Sequence, residues 1–277
     1  MCSTLSRSPL DRQSPLAHAA AMAAPDFIDF ALELARAARG ETLPLWQSGC
    51  AVEDKGQSVF DPVTEADRAS ERAMRTLIRE RLPDHGVSGE EFGDEPSTGP
   101  FSWSLDPVDG TRSFICGLPT WTTLIALLED GVPVLGLIDA PVLDETYLGT
   151  GNEAWMMRGD ARRPLRASGC TRLAEARFST TDPFLLGDGT GFERIRRAAR
   201  VTRYSHDAYG YARLAAGSLD LVIESGLKPH DYNALIPVIR GACGHIGNWH
   251  GGSDFAAGAV IAAASRKLYD EAVALLA

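Results

Sequence analysis

Two carboxylates stand at the end of an apolar run in the segment Trp103–Phe114, which reads WSLDPVDGTRSF. Asp106 and Asp109 are near enough in sequence to repel each other, and such acids are stable together only when they are solvated or share a cation. Because the apolar residues before them direct the pair toward the interior, solvation is a poor explanation. We expect a hard divalent cation here, and carboxylate and carbonyl oxygens suit Mg²⁺.

The neighbouring residues fit the same chemistry. Pro107 removes a backbone donor, and Val108 could turn its carbonyl oxygen toward an ion. Gly110 allows a close backbone approach, and its N–H with that of Thr111 could open a helix that faces an anion. The Thr111 hydroxyl could orient a water molecule. The alternative is a capped turn with surface acids, but metal-and-phosphate chemistry accounts for every residue of the run.

Other acids also stand at the ends of predicted elements. Each of them alone is compatible with a helix cap or a solvated turn. They are Asp61, Asp67, Glu90, Glu91 and Asp231.

The first half of the chain predicts two helices followed by a sheet. Apolar residues recur at helical spacing over residues 26–46, where Asp26 could cap the start and Gly40 could bend or end the helix, and again over 65–82. Five β-prone runs follow, over residues 101–106, 120–128, 132–138, 145–148 and 154–158. Asp130-Gly131 is typical of a hairpin turn. Consecutive strands of this kind favour an antiparallel sheet.

After about residue 160, strands and helices alternate, which is typical of an α/β half. We predict strands over 177–180, 201–204, 219–224 and 259–263, and helices over 192–200, 207–216, from about 231, and over 266–276. The predicted organisation is a disordered extension (1–21), an N-terminal α+β half with an antiparallel sheet and most metal ligands (22–160), and a C-terminal α/β half that supplies Asp231 and substrate contacts (161–277).

Composition limits the class of protein. The 277 residues carry 27 basic and 37 acidic side chains, a net charge of −10, which argues against a nucleic-acid surface. No apolar run approaches the roughly 20 residues of a membrane helix. The five cysteines form no C-x-x-C pair, which favours a reducing, cytoplasmic setting. We expect Cys116 and Cys243 to be small buried apolar groups.

Taken together, the motifs D-x-V-T-x-x-D, G-E-E, D-P-V-D-G-T and a late helix-opening Asp resemble the inositol monophosphatase superfamily of Mg²⁺-dependent, lithium-sensitive phosphatases. The likeness covers residues 26–277. It implies the layered α-β-α-β-α sandwich of the inositol monophosphatase and fructose-1,6-bisphosphatase type, two to three Mg²⁺ ions per active site and a homodimer. The substrate would be a small-molecule phosphate ester, without nucleic acid or membrane as partner.

The resemblance also implies roles for individual residues. One Mg²⁺ would be held by Glu90, Asp106 and the Val108 carbonyl, a second by Asp106, Asp109 and Asp231, and a looser third by Asp67. The catalytic residues would be Glu90, Thr111 and Asp67, with Glu90 and Thr111 orienting the nucleophilic water and Thr111 paired to Asp67. The N–H groups of Gly110 and Thr111 would hold the phosphate.

Three stretches resemble the histidinol-phosphatase branch: DGTRSF with GLPTWTTLIALL after it, VLGLIDAPVL, and LKPHD with ALIPVIRG. This implies L-histidinol phosphate as the substrate. The implied substrate contacts are Asp109, Gly110, Thr111, Arg112, Arg203, Ser205, His206, Asp207, Glu224 and Asp231. Inositol 1-phosphate, a nucleotide 3′-phosphate and a sugar bisphosphate stay open as substrates, as does a regulatory binding protein on the same fold. His230 and Asn233 depart from the family pattern, with polar side chains where packing residues are usual.

Overall fold

The computed structural model describes residues 25–49, 51–54, 56, 62–186 and 191–276. The predicted extension and Asp61 lie outside these ranges. The strands are β1 (Val52–Asp54), β2 (Pro62–Thr64), β3 (Gly86–Gly89), β4 (Gly93–Glu95), β5 (Phe101–Asp109), β6 (Thr122–Glu129), β7 (Val132–Ala140), β8 (Glu145–Gly149), β9 (Ala154–Arg158), β10 (Ala161–Pro164), β11 (Arg177–Thr180), β12 (Val201–Tyr204), β13 (Leu221–Glu224), β14 (His245–Asn248) and β15 (Val260–Ala263).

The helices are α1 (Pro25–Leu45), α2 (Glu65–Arg81), α3 (Thr111–Ile115), α4 (Phe192–Ala198), α5 (Asp207–Ala215), α6 (Pro229–Tyr232), α7 (Leu235–Gly241) and α8 (Arg266–Leu276). Short 3₁₀ turns cover Pro141–Leu143, Leu173–Glu175 and Pro183–Leu186.

Two large sheets lie between layers of helices. Within the described residues, the first sheet has the order β10-β9-β8-β7-β6-β5-β3-β4 and the second the order β12-β11-β13-β15-β14. Helices α1 and α2 pack on one face of the first sheet, α5 and α7 fill the space between the sheets, and α4 and α8 cover the outer face of the second. This confirms the predicted layered fold. The first sheet continues to Pro164, four residues past residue 160.

Local sequence accounts for the clearest elements. Thr64 caps α2: its hydroxyl accepts from the Ala66 N–H, and the Asp67 carboxylate accepts from the Thr64 N–H. Ala66, Met74 and Ile78 then bury one face of α2. Asp130 and Gly131 both have positive φ, of 49° and 78°, as the turn of the β6–β7 hairpin requires, so this prediction is confirmed.

Two helices differ from prediction. Helix α1 begins at Pro25 and continues through Gly40 instead of ending there. The helix predicted from about Asp231 is split into α6 and α7, and Pro237 is accommodated because it lies in the first turn of α7. The sequence did not indicate six short strands: β1, β2, β3, β4, β10 and β14.

The residues that enter and form most of β6 are buried, whereas two of the cysteines are not. The run from Trp121 to Leu127 is part of the core, with each residue at most 1% exposed. Cys116 and Cys243 are exposed, so the prediction that both are buried is wrong. Cys116 ends the short helix α3, and Cys243 adopts a positive φ of 62° in the turn after α7. Both therefore lie at surface turns. Among the described residues, no helix is both long and apolar enough to span a bilayer.

Gly136 allows the first sheet to pack closely on the chain entering α7. A methyl group added to it would overlap the carbonyl oxygen of Ala234. We expect Gly136→Ala to lower the free energy of unfolding by about 1–3 kcal/mol or more. The control is Gly40→Ala in α1, where a methyl group meets open space and should add about 0.5–1 kcal/mol. Urea unfolding measures both, and equal stability of Gly136→Ala and the wild type would contradict the argument.

Candidate active site

Three acids from distant parts of the chain converge at one end of β5. Asp106 and Asp109 come from β5 and Asp231 from α6, and each offers a carboxylate oxygen within 4.8 Å of the others. The structure therefore brings together the acids that the sequence predicted as ligands of the second ion.

A β-bulge explains how Asp106 and Asp109 reach the same site. Residues three apart in a regular strand point to opposite faces. Here Asp106 pairs with Leu124 and Asp109 with Thr122, so two residues of β5 oppose one of β6. Pro107 lies in this bulge, where a missing N–H is tolerated, and its carbonyl accepts from the Thr123 hydroxyl at 2.8 Å.

Strand β3 delivers Glu90 to the same edge. β3 runs parallel to β5, with Gly89 opposite Leu105, and the Glu90 N–H donates to the Leu105 carbonyl at 3.3 Å. The Glu90 carboxylate is near enough to raise the pKa of both Asp106 and Asp231. A parallel neighbour was not predicted, and its direction is what places Glu90 beside the acids of β5.

Burial and mutual repulsion dominate the electrostatics. Burial raises the pKa of Asp106 and of Asp109 well above the usual carboxyl range, and neighbouring acids raise both further. The pKa of Asp231 is raised chiefly by burial, and the His230 ring, 3.6 Å from Asp231, opposes this rise. A cation would relieve this repulsion.

The donor set fits a hard divalent cation. The Oδ1 atoms of Asp106 and Asp67 are buried and have no hydrogen-bond partner, although buried oxygens normally have one. The Val108 carbonyl lies at the same bulge and accepts from the Thr111 hydroxyl at 3.1 Å. Asp106, Asp109, Asp231, Glu90 and the Val108 carbonyl would together offer only oxygen ligands, as Mg²⁺ requires.

Asp67 and Thr111 do not pair as predicted. Asp67 Oδ2 accepts from the Thr64 hydroxyl at 2.6 Å, whereas Thr111 donates to Val108. Asp67 caps the start of its own helix with Oδ2, and its Oδ1 is the atom left without a hydrogen-bond partner. Burial raises the pKa of Asp67 to about 6, with Glu91 and Glu90 adding to the shift.

The second half closes the site through the start of α5. The Ala208 N–H donates to Asp109 Oδ2 at 2.8 Å, and the Thr122 hydroxyl donates to the same oxygen at 3.1 Å. A methyl group on Gly110, whose φ is 79°, would meet the Asp207 carboxylate at 2.8 Å. Asp207 therefore lies directly over the residues expected to hold the phosphate.

Asp207 is held by groups from both halves. The Ser113 hydroxyl donates to its Oδ2 at 3.2 Å, and its N–H donates to the Thr181 hydroxyl at 3.1 Å. Its φ of 47° is unusual for a residue with a side chain and indicates a constrained position. Burial raises the pKa of Asp207 to about 6, with the Ser113 bond and Arg112 opposing.

Glu224 shares a hydrogen-bond partner with Asp207, because Thr181 contacts both residues. The Thr181 N–H and hydroxyl donate to Glu224 Oε1 at 2.8 and 2.9 Å. Burial raises the pKa of Glu224 to about 8. Sequence reasoning missed Thr181. Its place directly after β11, beside the predicted strand end at Glu224, is the signal that could have indicated it.

The remaining predicted substrate residues are more peripheral. His206 Nδ1 shares a hydrogen bond with the Ser179 hydroxyl at 3.0 Å, and burial lowers the pKa of His206. Arg203 and Ser205 are exposed. Arg112 is half exposed and lies 3.5 Å from Asp182.

Asn233 forms a polar contact between the halves that the sequence did not suggest. Its side-chain amide donates to the Ser104 hydroxyl at 3.2 Å, and both residues are buried. Asn233 stands two positions after Asp231, and Ser104 stands two positions before Asp106; both acids are predicted metal ligands. The polar side chain of Asn233, which departs from the family pattern, thus has a hydrogen-bond partner. The pair connects α6 to β5 beside the acids.

Comparison with known proteins agrees with this geometry. The model of the inositol monophosphatase family matches residues 25–277. The chain belongs to the inositol monophosphatase family. Proteins of this family are Mg²⁺-dependent phosphatases, and the cluster of Asp106, Asp109 and Asp231 is consistent with that dependence.

Relatives in the family carry more than one substrate name. A chloroplastic bifunctional phosphatase of Arabidopsis thaliana is 44% identical over 196 residues, which are 69% of this chain and 56% of that protein. The histidinol-phosphatase of Mycobacterium tuberculosis is 35% identical over 206 residues, or 69% of this chain and 78% of its own. An inositol monophosphatase structure from Zymomonas mobilis superposes with a TM-score of 0.79 at 35% identity, over 91% of this chain and 97% of that one.

Asp106→Asn should separate repulsion from metal binding. Because burial raises the carboxyl pKa values in the fold, the metal-free folded protein binds more protons than the unfolded chain above pH about 4. Its stability should therefore fall as the pH rises from 4 to 8. At pH 8 without metal, Asp106→Asn should melt above the wild type, and Mg²⁺ should raise its melting temperature less. Thermal melts with EDTA and with Mg²⁺ test this, and a flat pH profile of the metal-free wild type would contradict it.

The Asn233–Ser104 contact predicts energetic coupling. Ser104→Ala and Asn233→Ala should each cost about 1–3 kcal/mol, because each leaves a buried polar group without its partner. The double variant should cost less than the sum, with a coupling energy of about 0.5–1.5 kcal/mol. Denaturant unfolding of the four proteins measures the cycle, and additive losses would mean that the two side chains do not act as a pair.

Proposed function

We propose that this protein is a Mg²⁺-dependent phosphomonoesterase that hydrolyses L-histidinol phosphate in histidine biosynthesis. One observation carries the proposal: a further acid, Asp207, lies beside the cluster of Asp106, Asp109 and Asp231, against Gly110. The cluster suits metal ions and phosphate, and the additional acid suits a cationic alcohol.

Phosphoryl transfer needs little covalent chemistry from a protein, so positioning and charge stabilisation carry it. Bound Mg²⁺ would supply positive charge for the phosphate and the leaving oxygen and would favour ionisation of a water. Two to three ions would be held by the acids described above, with Asp67 at the third. Glu90 and the Thr111 hydroxyl would orient the attacking water, and the N–H groups of Gly110 and Thr111 would hold the phosphate oxygens.

Substrate selection would come from the second half of the chain. Asp207 and Glu224 would face the amine and the imidazolium of histidinol phosphate. A cation beside them would lower the raised pKa of each acid and so favour its charged form. Arg112 would neighbour the phosphate, and Arg203, Ser205 and His206 would line the entrance.

Inositol monophosphatase is the second candidate, because the Zymomonas mobilis relative carries that name and its fold covers nearly all of this chain. Inositol is neutral, so two acids facing it would gain no charge pairing. Nucleotide 3′-phosphates and sugar bisphosphates are disfavoured by the same acids, because they add negative charge. A regulatory protein without turnover would not need the complete set of metal-site acids and Thr111.

Phosphate release tests the activity and the substrate together. We expect Mg²⁺-dependent hydrolysis of L-histidinol phosphate with a higher kcat/KM than for inositol 1-phosphate, and loss of both activities in Asp106→Asn. Preference for inositol 1-phosphate would overturn the substrate but keep the chemistry. Binding of Mg²⁺ without hydrolysis of any ester would favour the regulatory alternative.

Asp207→Asn tests recognition of the cation. The variant should lose about 30-fold or more in kcat/KM for L-histidinol phosphate, since removal of one partner from a buried charge pair costs about 2 kcal/mol or more. Hydrolysis of glycerol 2-phosphate, which is neutral beyond its phosphate, should change by less than about threefold on the same physical ground. Equal losses on the two esters would assign Asp207 to general positioning instead.

The proposal extends to assembly and compartment. The family resemblance implies a homodimer, which light scattering of the purified protein would measure. Cys116, Cys170 and Cys243 are free thiols, which supports a reducing, cytoplasmic setting.

A further inference from the structure

A buried acid outside the metal cluster lies under the turn that carries Glu90. Glu71, on α2, has no measurable exposure. Its Oε2 accepts from the Glu91 N–H at 2.8 Å, and its Oε1 accepts from the Phe92 N–H at 3.2 Å. Two successive backbone donors of the turn therefore end on one carboxylate.

The turn touches Glu71 on the other side of Glu90 as well. A methyl group on Gly89 would overlap the Glu71 carboxylate, so the backbone lies directly against it. The Glu90 N–H is held by the Leu105 carbonyl. With residues on both sides fixed and its own N–H bonded, Glu90 leaves the turn in one direction.

Arg75 pairs with the buried carboxylate and connects it to the same turn. Its Nε donates to Glu71 Oε1 at 2.8 Å, and its Nη1 donates to Glu95 Oε1 at 2.8 Å. Its Nη2 donates to the Gly93 carbonyl. The guanidinium thus connects α2 to the far side of the same turn. A helical ion pair alone would not require any of these contacts with the segment from Gly89 to Glu95.

We propose that Glu71 is a positioning residue that sets the Mg²⁺ affinity of the site by holding Glu90. This inference rests on the proposed metal site. Glu71 binds no ion itself: its oxygens are used by backbone N–H groups and Arg75. Groups that orient a metal ligand commonly change metal affinity 10–100-fold when they are removed.

Glu71→Gln is the first test variant, because it keeps the shape and removes the charge. Isothermal titration with Mg²⁺ alone should give an affinity at least about tenfold weaker than that of the wild type. In the metal-free protein, the Glu91 and Phe92 amides should exchange with solvent at least about tenfold faster, because they lose the protection of the charged carboxylate. The Mg²⁺ concentration for half-maximal activity should rise.

Asp220→Asn is the matched control. Asp220 is also a buried carboxylate that accepts from a guanidinium and a backbone N–H, both of Arg177, but it precedes β13, at the end opposite Glu224. The Asp220→Asn variant should lose stability without a change in Mg²⁺ affinity or in the hydrogen exchange of the Glu91 amide. Weakened Mg²⁺ binding in this control would mean that the affinity simply follows stability, and would overturn the proposal.

Glu71→Asp serves where Glu71→Gln does not fold. It keeps the charge opposite Arg75 but shortens the reach to the turn, so the same faster exchange and weaker Mg²⁺ binding are expected. Wild-type affinity and wild-type amide exchange in a folded Glu71 variant would overturn the inference. Absence of Mg²⁺ binding by the wild type itself would instead refute the proposed metal-dependent function, and the exchange measurement would still decide whether Glu71 holds the turn.

Discussion

Repulsion between crowded carboxylates is the constraint on which the site depends. Asp106, Asp109 and Asp231 approach within 4.8 Å of one another, with Asp106 buried and the other two partly exposed. A fold gains nothing in stability from such an arrangement, since each acid must be held against both desolvation and its neighbours. The surrounding structure supplies this restraint through a bulge, a helix start and polar contacts between the halves.

The restraint comes from backbone geometry more than from opposite charges. The bulge at Pro107 turns two acids of one strand to the same side, and the first turn of α5 donates an N–H to Asp109. Glu71 restrains Glu90 in a similar way, because it accepts hydrogen bonds from the backbone amides of the two residues that follow Glu90. A rigid backbone leaves the carboxylate oxygens available for ions, whereas direct pairing with arginines would occupy them.

Much of this arrangement could be predicted from sequence. Periodic apolar residues indicate α2 and α8, and the spacing of the acids around Pro107 points to a metal site. The direction of β3 could not be predicted, because it depends on which neighbour the strand joins and not on its own few residues. The contact between Asn233 and Ser104 joins residues 129 positions apart, so each looks like an isolated polar substitution until the fold pairs them. The prediction that Cys116 is buried was wrong because it used the residue type alone, whereas its place in the turn after α3 decides its exposure.

The large separation between Glu90 and Asp231 along the chain has a consequence for biosynthesis. Domains made on the ribosome begin to fold from the N-terminus, and contacts between distant residues form late. The acids of β5 are synthesised well before α6, so the nascent protein lacks Asp231, one member of the acidic cluster, until most of the polypeptide has been translated. Magnesium capture would then accompany the last docking event of folding, and the ion would stabilise only chains in which the C-terminal half has already found its place.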